Sequence, residues 1–302
     1  MTPPEARQTD PNILIIGYGE MGHAFEFLLG LHASLHIWHR HLDNADAQLR
    51  SWSRAASHIY FCLPATALAR VSKLVEPDPV NNPVCAAIAK GLDDEGRMPV
   101  EILASRFSRR AGYGVIYGPM IAEEIVAGKP GFAHVAADNH DHARAIMRCF
   151  RHTALTLQPH DDMIGLSWSA IMKNVYAILF GLADGLGLGD NSRGALLVKT
   201  MAELKQVLQS VDAAPDSAWS LGGLGDLVTT ATSAGSHHHE LGLMLARGDT
   251  TALTGEGPHT IRLLAEKQLI DLAQFPLAQC VESILANPAP KTINQFVGIL
   301  QS

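Results

Sequence analysis

Cysteine is scarce in this 302-residue chain: four residues, at positions 62, 85, 149 and 280, with no CxxC pair among them. That excludes a zinc ribbon and a disulfide framework, and fits free thiols in a reducing compartment. Charge is thin as well. Charged residues make up 18% and the net charge is −7, so no basic excess exists to hold a nucleic-acid backbone. A local basic pocket for a small anion is still allowed. Internal repeats and low-complexity tracts are missing, which excludes solenoids and disordered linkers. The first ten residues, MTPPEARQTD, are polar and lack the apolar core of a secretory signal. A soluble cytoplasmic protein is expected, with neither a membrane nor a nucleic acid as partner.

What the chain has in quantity is apolar residues, 47% of the total, enough for a sizeable core. They fill nearly every face of a predicted helix over 163–182, as in a helix buried on most sides. Lys173 and Asn174 sit in the middle of it. The run approaches membrane-spanning length, but a lysine and an asparagine at its centre argue against a span. The helical neighbours of Lys173 at three and four residues are Ser169, Ala170, Tyr176 and Ala177. Three of them are small, leaving the ammonium room to reach a cavity. A lysine buried without a partner would lose its proton, by roughly 3–5 pKa units at the extreme. Lys173 therefore either snorkels to the surface or points into a polar site.

The N-terminal half alternates. A short apolar strand, NILII at 12–16, runs into GYGEMG and then a helical stretch over 21–31. Gly17, Gly19 and Gly22 have the G-x-G-x-x-G spacing of a dinucleotide-binding turn. The first glycine allows the tight turn, the second admits a pyrophosphate to the backbone, and the third lets helix and strand pack closely. The helix N-terminus adds amide donors and a favourable dipole. A second strand over 35–38 ends in His39-Arg40-His41, where an NAD-type site would carry an acid. Arg40 suits a 2′-phosphate, which favours NADP over NAD; the alternative is a surface arginine at a strand end.

Further strands are predicted at 59–63, 84–89, 115–117, 132–137 and 154–157, with helices after Pro64, around Glu123 and Glu124, and over 140–150. Such alternation gives a mostly parallel sheet with helices on both faces. It stops near Pro159. Beyond it the pattern is helical, including a helix over 192–211 with Asn191 or Ser192 as its N-cap. Glycines 185, 187 and 189 form the turn before that helix, and a glycine-rich loop begins at Leu221. The boundary is placed at about residue 158, giving units 1–158 and 159–302.

Seven segments then resemble, in order and spacing, the NAD(P)-dependent glycerol-3-phosphate dehydrogenases. They are GYGEMG (17–22), FCLPATAL (61–68), AKGLD (89–93), GPMIAEEIVAGKP (118–130), KNVYAILFGLADGLGLGDNS (173–192), GLGDLVTTATS (223–233) and GEGPHTI (255–261). The resemblance implies a Rossmann-type dinucleotide-binding domain followed by an all-helical C-terminal substrate domain of the 6-phosphogluconate dehydrogenase type. It implies hydride transfer between a nicotinamide cofactor and a small hydroxy or keto compound, with glycerol 3-phosphate and dihydroxyacetone phosphate as the family pair. A homodimer is expected on the same ground.

Reducing a ketone needs a proton donor beside the developing alkoxide. The resemblance gives that role to Lys173, surrounds the reacting carbon with Asn174, Asp226 and Thr230, and brings Lys90 from the sheet's edge. Asp226 would hold Lys173 charged against desolvation. Glu256 matches a glutamate near the cofactor, and Glu20, Met21 and Pro64 belong to the same cofactor set. Ser236, His237 and His238 fall where the family binds substrate phosphate.

Two departures stand out. The family's Ser-Arg-Asn-Arg is Ser236-His237-His238-His239 here, replacing an always-charged bidentate guanidinium with imidazole. Adjacent histidines seldom converge on one ion, so no metal is expected. The link from the second strand to the third, 41–57, is shorter than the family's and lacks its Asn and Tyr-Leu-Pro segment. Other readings stay open: a related dehydrogenase with a non-phosphorylated substrate, or a dinucleotide-binding protein with little catalysis. Retention of Lys173, Asp226 and Thr230 together speaks against the second. Hydroxyacid and 6-phosphogluconate-type dehydrogenases share the fold but not the GLGDL loop.

Overall fold

The chain is described by a computed structural model over residues 11–301, apart from 234 and 252. The N-terminal segment read above for a signal core lies outside the described residues.

Strand and helix alternate from the start: β1 (Asn12–Ile16), α1 (Glu20–Leu29), β2 (Ser34–Trp38), α2 (Ala45–Ala55), β3 (His58–Phe61), α3 (Ala65–Ser72) and β4 (Val84–Ala87). Then come α4 (Pro99–Phe107), β5 (Gly112–Tyr117), α5 (Ala122–Val126), β6 (Gly131–Ala137), α6 (His140–Cys149) and β7 (Leu155–Pro159). The strands form one seven-stranded sheet in the order β2-β1-β3-β4-β5-β6-β7. Every neighbouring pair is parallel except β5 and β6. Past Asn12 and His58, the inner strands β1, β3 and β4 are apolar and buried because both of their faces are covered. The short link after β2 carries α2, which the sequence pattern had not suggested. Pro64 caps α3 from one residue outside it, where its missing N–H costs nothing.

The remainder is helical: α7 (Met163–Gly185), α8 (Gly189–Ser210), α9 (Asp226–Thr232), α10 (His237–Ala246), α11 (Glu256–Glu266), α12 (Pro276–Ala286) and α13 (Pro290–Gln301). All residues from Gly165 to Ala183 are buried, so α7 is the axis around which the other helices pack. By length and composition α7 could cross a membrane, but 89% of its apolar window is buried inside the protein itself. Asp162 fixes its start by accepting from the Gly165 N–H at 2.8 Å. The buried Glu203 of α8 is fully engaged, accepting from Tyr176 Oη and from the amides of Leu277 and Ala278 at the start of α12. Burial pushes its carboxyl above the usual range, opposed by those three donors.

Two local expectations are corrected. The helix expected over 192–211 begins at Gly189, and Leu188, not Asn191 or Ser192, is its N-cap. Gly187 and Gly189 take positive φ, which lets the chain reverse and resume helix three residues early. Ser192 Oγ donates to the Leu188 carbonyl and caps no amide. The segment from Leu221 is also no loop. It is a π-helical turn, Leu221–Gly225, leading directly into α9. Glycine propensity points the other way, but close packing decides: a Cβ on Gly223 would lie 2.3 Å from the Ala218 carbonyl oxygen.

The contact of α7 with α10 depends on glycine too. A Cβ on Gly181 would meet the His239 carbonyl oxygen at 1.9 Å, and one on Gly242 the Ile178 carbonyl oxygen at 2.1 Å. These neighbours are backbone and have little room to yield. Gly242→Ala should therefore destabilise the protein by about 1–3 kcal/mol. Gly194→Ala, at an α8 position with nothing within 4 Å, should stabilise it by about 0.5–1 kcal/mol. Chemical denaturation of both variants checks this, and equal midpoints would show that the helix contact is not tight.

Candidate functional site

The glycine turn shows three different environments. Gly17 has φ +105° and would place a Cβ 2.3 Å from the Cys62 carbonyl oxygen, so the turn and the approach to β3 both exclude a side chain. Gly22 would meet the Gly17 carbonyl oxygen at 2.2 Å. Gly19 faces open space, with nothing within 4 Å of a Cβ. The α1 N-terminus and this turn border a cleft of about 630 Å³, lined also by Glu20, Met21, Pro64, Lys90, Lys173 and Glu256. Arg40 is exposed at the end of β2, beside the turn through the Gly17 N–H to Trp38 carbonyl bond, and does not line the cleft.

A second cleft, of about 820 Å³, adjoins the first along Glu20, Met21, Lys90, Met120 and Lys173. Its far wall carries Asp226, Thr230, Ser236, His237 and His238. The two meet at a buried charge cluster drawn from both halves of the chain. Lys90 Nζ lies 2.5 Å from Asp226 Oδ2 and donates to the Gly118 carbonyl at 3.1 Å. Lys173 Nζ donates to Thr230 Oγ1 at 2.8 Å and stands 3.5 Å from the same Asp226 oxygen. Lys173 is 6% exposed and Asp226 3%. Burial lowers the Lys173 ammonium to about 8; Asp226 resists that shift and the Lys90 charge adds to it.

Asn174 ties the halves together a second time. Its Nδ2 donates to the Lys90 carbonyl at 2.7 Å and to Glu256 Oε2 at 3.1 Å. Its Oδ1 is buried with no hydrogen-bond partner. Burial pushes the Glu256 carboxyl up, while Lys173, Lys90 and Asn174 pull it down. Tyr117 Oη donates to the Ala89 carbonyl at 2.7 Å and steadies the strand end that presents Lys90.

The structure thus brings together Lys90, Lys173, Asn174, Asp226, Thr230 and Glu256, and it separates the three histidines. His237 is exposed and His238 half-buried on the cleft wall, whereas His239 turns away to Asp184, with Nε2 2.7 Å from Oδ2. Burial would raise the Asp184 carboxyl, but His239 and Arg193 hold it below its usual value. The second-cleft walls formed by Met120, Glu123, Glu124 and Thr229 were not assigned to a site from sequence. Nor was His134 of β6, whose Nδ1 accepts from the Leu221 N–H and pins the π turn ahead of Asp226. A third cavity, of about 550 Å³ between α11 and α12, holds none of the expected site residues.

Two family models match the chain. The NAD-dependent glycerol-3-phosphate dehydrogenase N-terminus covers residues 44–143 and the corresponding C-terminus residues 162–294. The chain belongs to the NAD-dependent glycerol-3-phosphate dehydrogenase family. Curated relatives agree. The glycerol-3-phosphate dehydrogenase [NAD(P)+] of Synechococcus elongatus is 32% identical over 68% of this chain and 68% of its own. That of Staphylococcus epidermidis is 26% identical over 92% and 94%. Among solved structures, glycerol-3-phosphate dehydrogenase from Coxiella burnetii superposes with a TM-score of 0.80 at 23% identity, over 96% of this chain and 98% of that one. The fold is therefore the family's, a Rossmann-type domain followed by a helical one, and the chain is an NAD(P)-dependent oxidoreductase.

Gly19 separates folding from binding. Its backbone is extended and its surroundings empty, so Gly19→Val should keep the wild-type melting temperature. A side chain there occupies the space through which a pyrophosphate reaches the α1 amides, so NAD(P)H affinity should fall at least ~10²-fold. Fluorescence titration with both cofactors measures it; unchanged affinity would put the site elsewhere.

Proposed function

We propose that this protein interconverts a ketone and a secondary alcohol on a small three-carbon compound, with Lys173 as the general acid–base. The family pair, dihydroxyacetone phosphate and glycerol 3-phosphate, supplies the carbon skeleton and reaction. The observation that carries the reading is the meeting of the two clefts at the Lys173–Asp226–Lys90 cluster. A bound nicotinamide supplies the hydride donor or acceptor. The Gly17–Gly22 turn, Pro64 and Glu256 suit such a group: an open backbone approach at Gly19, the amide donors of the α1 N-terminus and a cleft wall beside them. Arg40 beside the turn favours NADP over NAD. A cytosolic homodimer is part of the same proposal.

Within the cluster each residue has a separable task. Lys173 Nζ gives its proton to the substrate oxygen as charge develops there, and takes one from the hydroxyl in the opposite direction. Thr230 and Asp226 hold that ammonium in place. Lys90, neutralised in part by Asp226, offers a second positive charge to the developing alkoxide. Asn174 fixes the Lys90 backbone and the Glu256 carboxyl, so the cofactor side and the substrate side keep one geometry.

Lys173→Met should lower kcat by about 10²–10⁴-fold, leave cofactor affinity near wild type and keep or raise the thermal midpoint. The last follows because a buried ammonium is destabilising until partners offset it. Steady-state kinetics and a thermal melt test it; retained turnover would refute the role.

The pH dependence has a definite sign. Ketone reduction needs the ammonium form, so its kcat/KM should fall as pH rises through about 8. Alcohol oxidation needs the neutral amine and should rise through the same range. Profiles in both directions check the pair, and parallel profiles would remove Lys173 from proton transfer.

A further inference from the structure

Asp226 owes its place to the π turn before it, and the head of that turn is held by one side chain. Leu221 opens the turn, and a helix start leaves its first amides without internal partners. His134 Nδ1 receives the Leu221 N–H at 3.1 Å. Behind that bond the turn is tightly packed. A Cβ on Gly222 would lie 3.0 Å from Tyr117 Cβ, and one on Gly223 2.3 Å from the Ala218 carbonyl oxygen. Asp226 follows directly, with Oδ2 2.5 Å from Lys90 Nζ and 3.5 Å from Lys173 Nζ. A shift of about 1 Å at this carboxylate changes which lysine it pairs, and misplacement on that scale can cost on the order of 10²-fold in rate.

The bond exists in one protonation state only. A main-chain N–H can only donate, so Nδ1 carries a lone pair and the ring proton sits on Nε2. A proton added at Nδ1 would turn two donors toward each other. Burial holds the imidazole below its usual range, the neighbouring His160 adds to that, and Gln158 acts the other way. Across the sheet, β5 presents Tyr117 opposite His134, and β7 presents Gln158. Tyr117 Oη is committed to the Ala89 carbonyl, so His160 is the one ionisable group acting on the ring among the described residues. The two imidazole centroids are 5.1 Å apart, and the His160 ring rests against the main chain of Asp162, the N-cap of α7. The pair sits at the heads of the segments that deliver Asp226 and Lys173.

We propose that His134 is a positioning residue for the reaction. In its neutral form it holds the π turn so that Asp226 sits between Lys90 and Lys173; on protonation it releases the turn, and turnover falls. This rests on the reading that Lys173 and Asp226 carry the proton transfer. His134 lines neither cleft and acts through the five residues of the turn. Its effect belongs to the acid side of ketone reduction, whereas loss of the Lys173 proton governs the alkaline side.

Two substitutions separate the acceptor from the ring. His134→Asn keeps an amide oxygen near the Nδ1 position and cannot take up a proton, whereas His134→Leu keeps bulk and removes the acceptor. Reduction of dihydroxyacetone phosphate at saturating NADPH or NADH is followed from about pH 8 to about pH 5, histidine's titration range. His134→Leu should lose about tenfold or more in kcat at neutral pH, with cofactor affinity by fluorescence near wild type. His134→Asn should recover most of that loss, and the ratio of its kcat to that of the wild type should climb about tenfold as pH falls. The ratio cancels ionisation of the substrate phosphate, which is common to both proteins. Wild-type kcat in His134→Leu, or a ratio flat with pH, overturns the proposal; should His134→Leu not fold, the ratio decides alone. Hydrogen exchange of the 221–226 amides needs no turnover. At one pH His134→Leu should exchange about tenfold faster than His134→Asn, and equal protection also overturns the proposal. Failure of the underlying reading looks different: turnover survives Lys173→Met while the exchange difference remains.

Discussion

Asp226 is shared between two lysines inside the protein, and most of the structure can be understood as what that contact demands. Lys90 comes from the end of β4, Lys173 from the middle of α7 and Asp226 from the first turn of α9. Two ammonium groups in a low-dielectric space repel each other, and each costs several kcal/mol to desolvate. One carboxylate between them, with the Gly118 carbonyl accepting a further proton from Lys90 and Thr230 Oγ1 one from Lys173, makes the arrangement tolerable. The incomplete compensation has a use. It leaves Lys173 at about 8, where it can exchange a proton near neutral pH.

Holding three charges from three elements in register requires a rigid junction between the sheet and the helices. Asn174 supplies one link, through the Lys90 carbonyl and Glu256. His134 supplies another, by receiving the Leu221 N–H at the head of the π turn that precedes Asp226. On the far side of α7, the backbone contact of Gly181 with His239 and of Gly242 with Ile178 fixes the axial position of α10. That contact also sends His239 to Asp184 while His238 stays on the cleft wall. The three adjacent histidines thus have three different environments, set by helical geometry and not by their shared chemistry.

Much was legible in the linear chain. The alternation of apolar strands and helices up to Pro159, the glycine spacing at 17, 19 and 22, and the lysine in the middle of an apolar helix each follow from local rules. Period, turn chemistry and the cost of an unpaired buried charge act within a few residues. The seven motifs in order pointed to the family that the wider comparisons bear out. Local rules misjudged the start of α8 and the segment after Leu221. In both places glycine was read as a breaker, whereas positive φ at Gly187 and Gly189 lets α8 begin early and the packing of Gly223 on the Ala218 carbonyl keeps the second segment helical.

Residue types and their order alone determined the fold class, the cofactor class and the presence of a lysine that had to find a partner. Only the tertiary structure decided which partner it found and what surrounds it. Asp226 lies 53 positions from Lys173 and 136 from Lys90 in sequence. Glu20 of α1 and Glu123 and Glu124 of α5 reach the same cleft, and the charge of that cleft is a sum over all of its residues. Electrostatic energy depends on distance in space and on the local dielectric, neither of which is written in the order of residues.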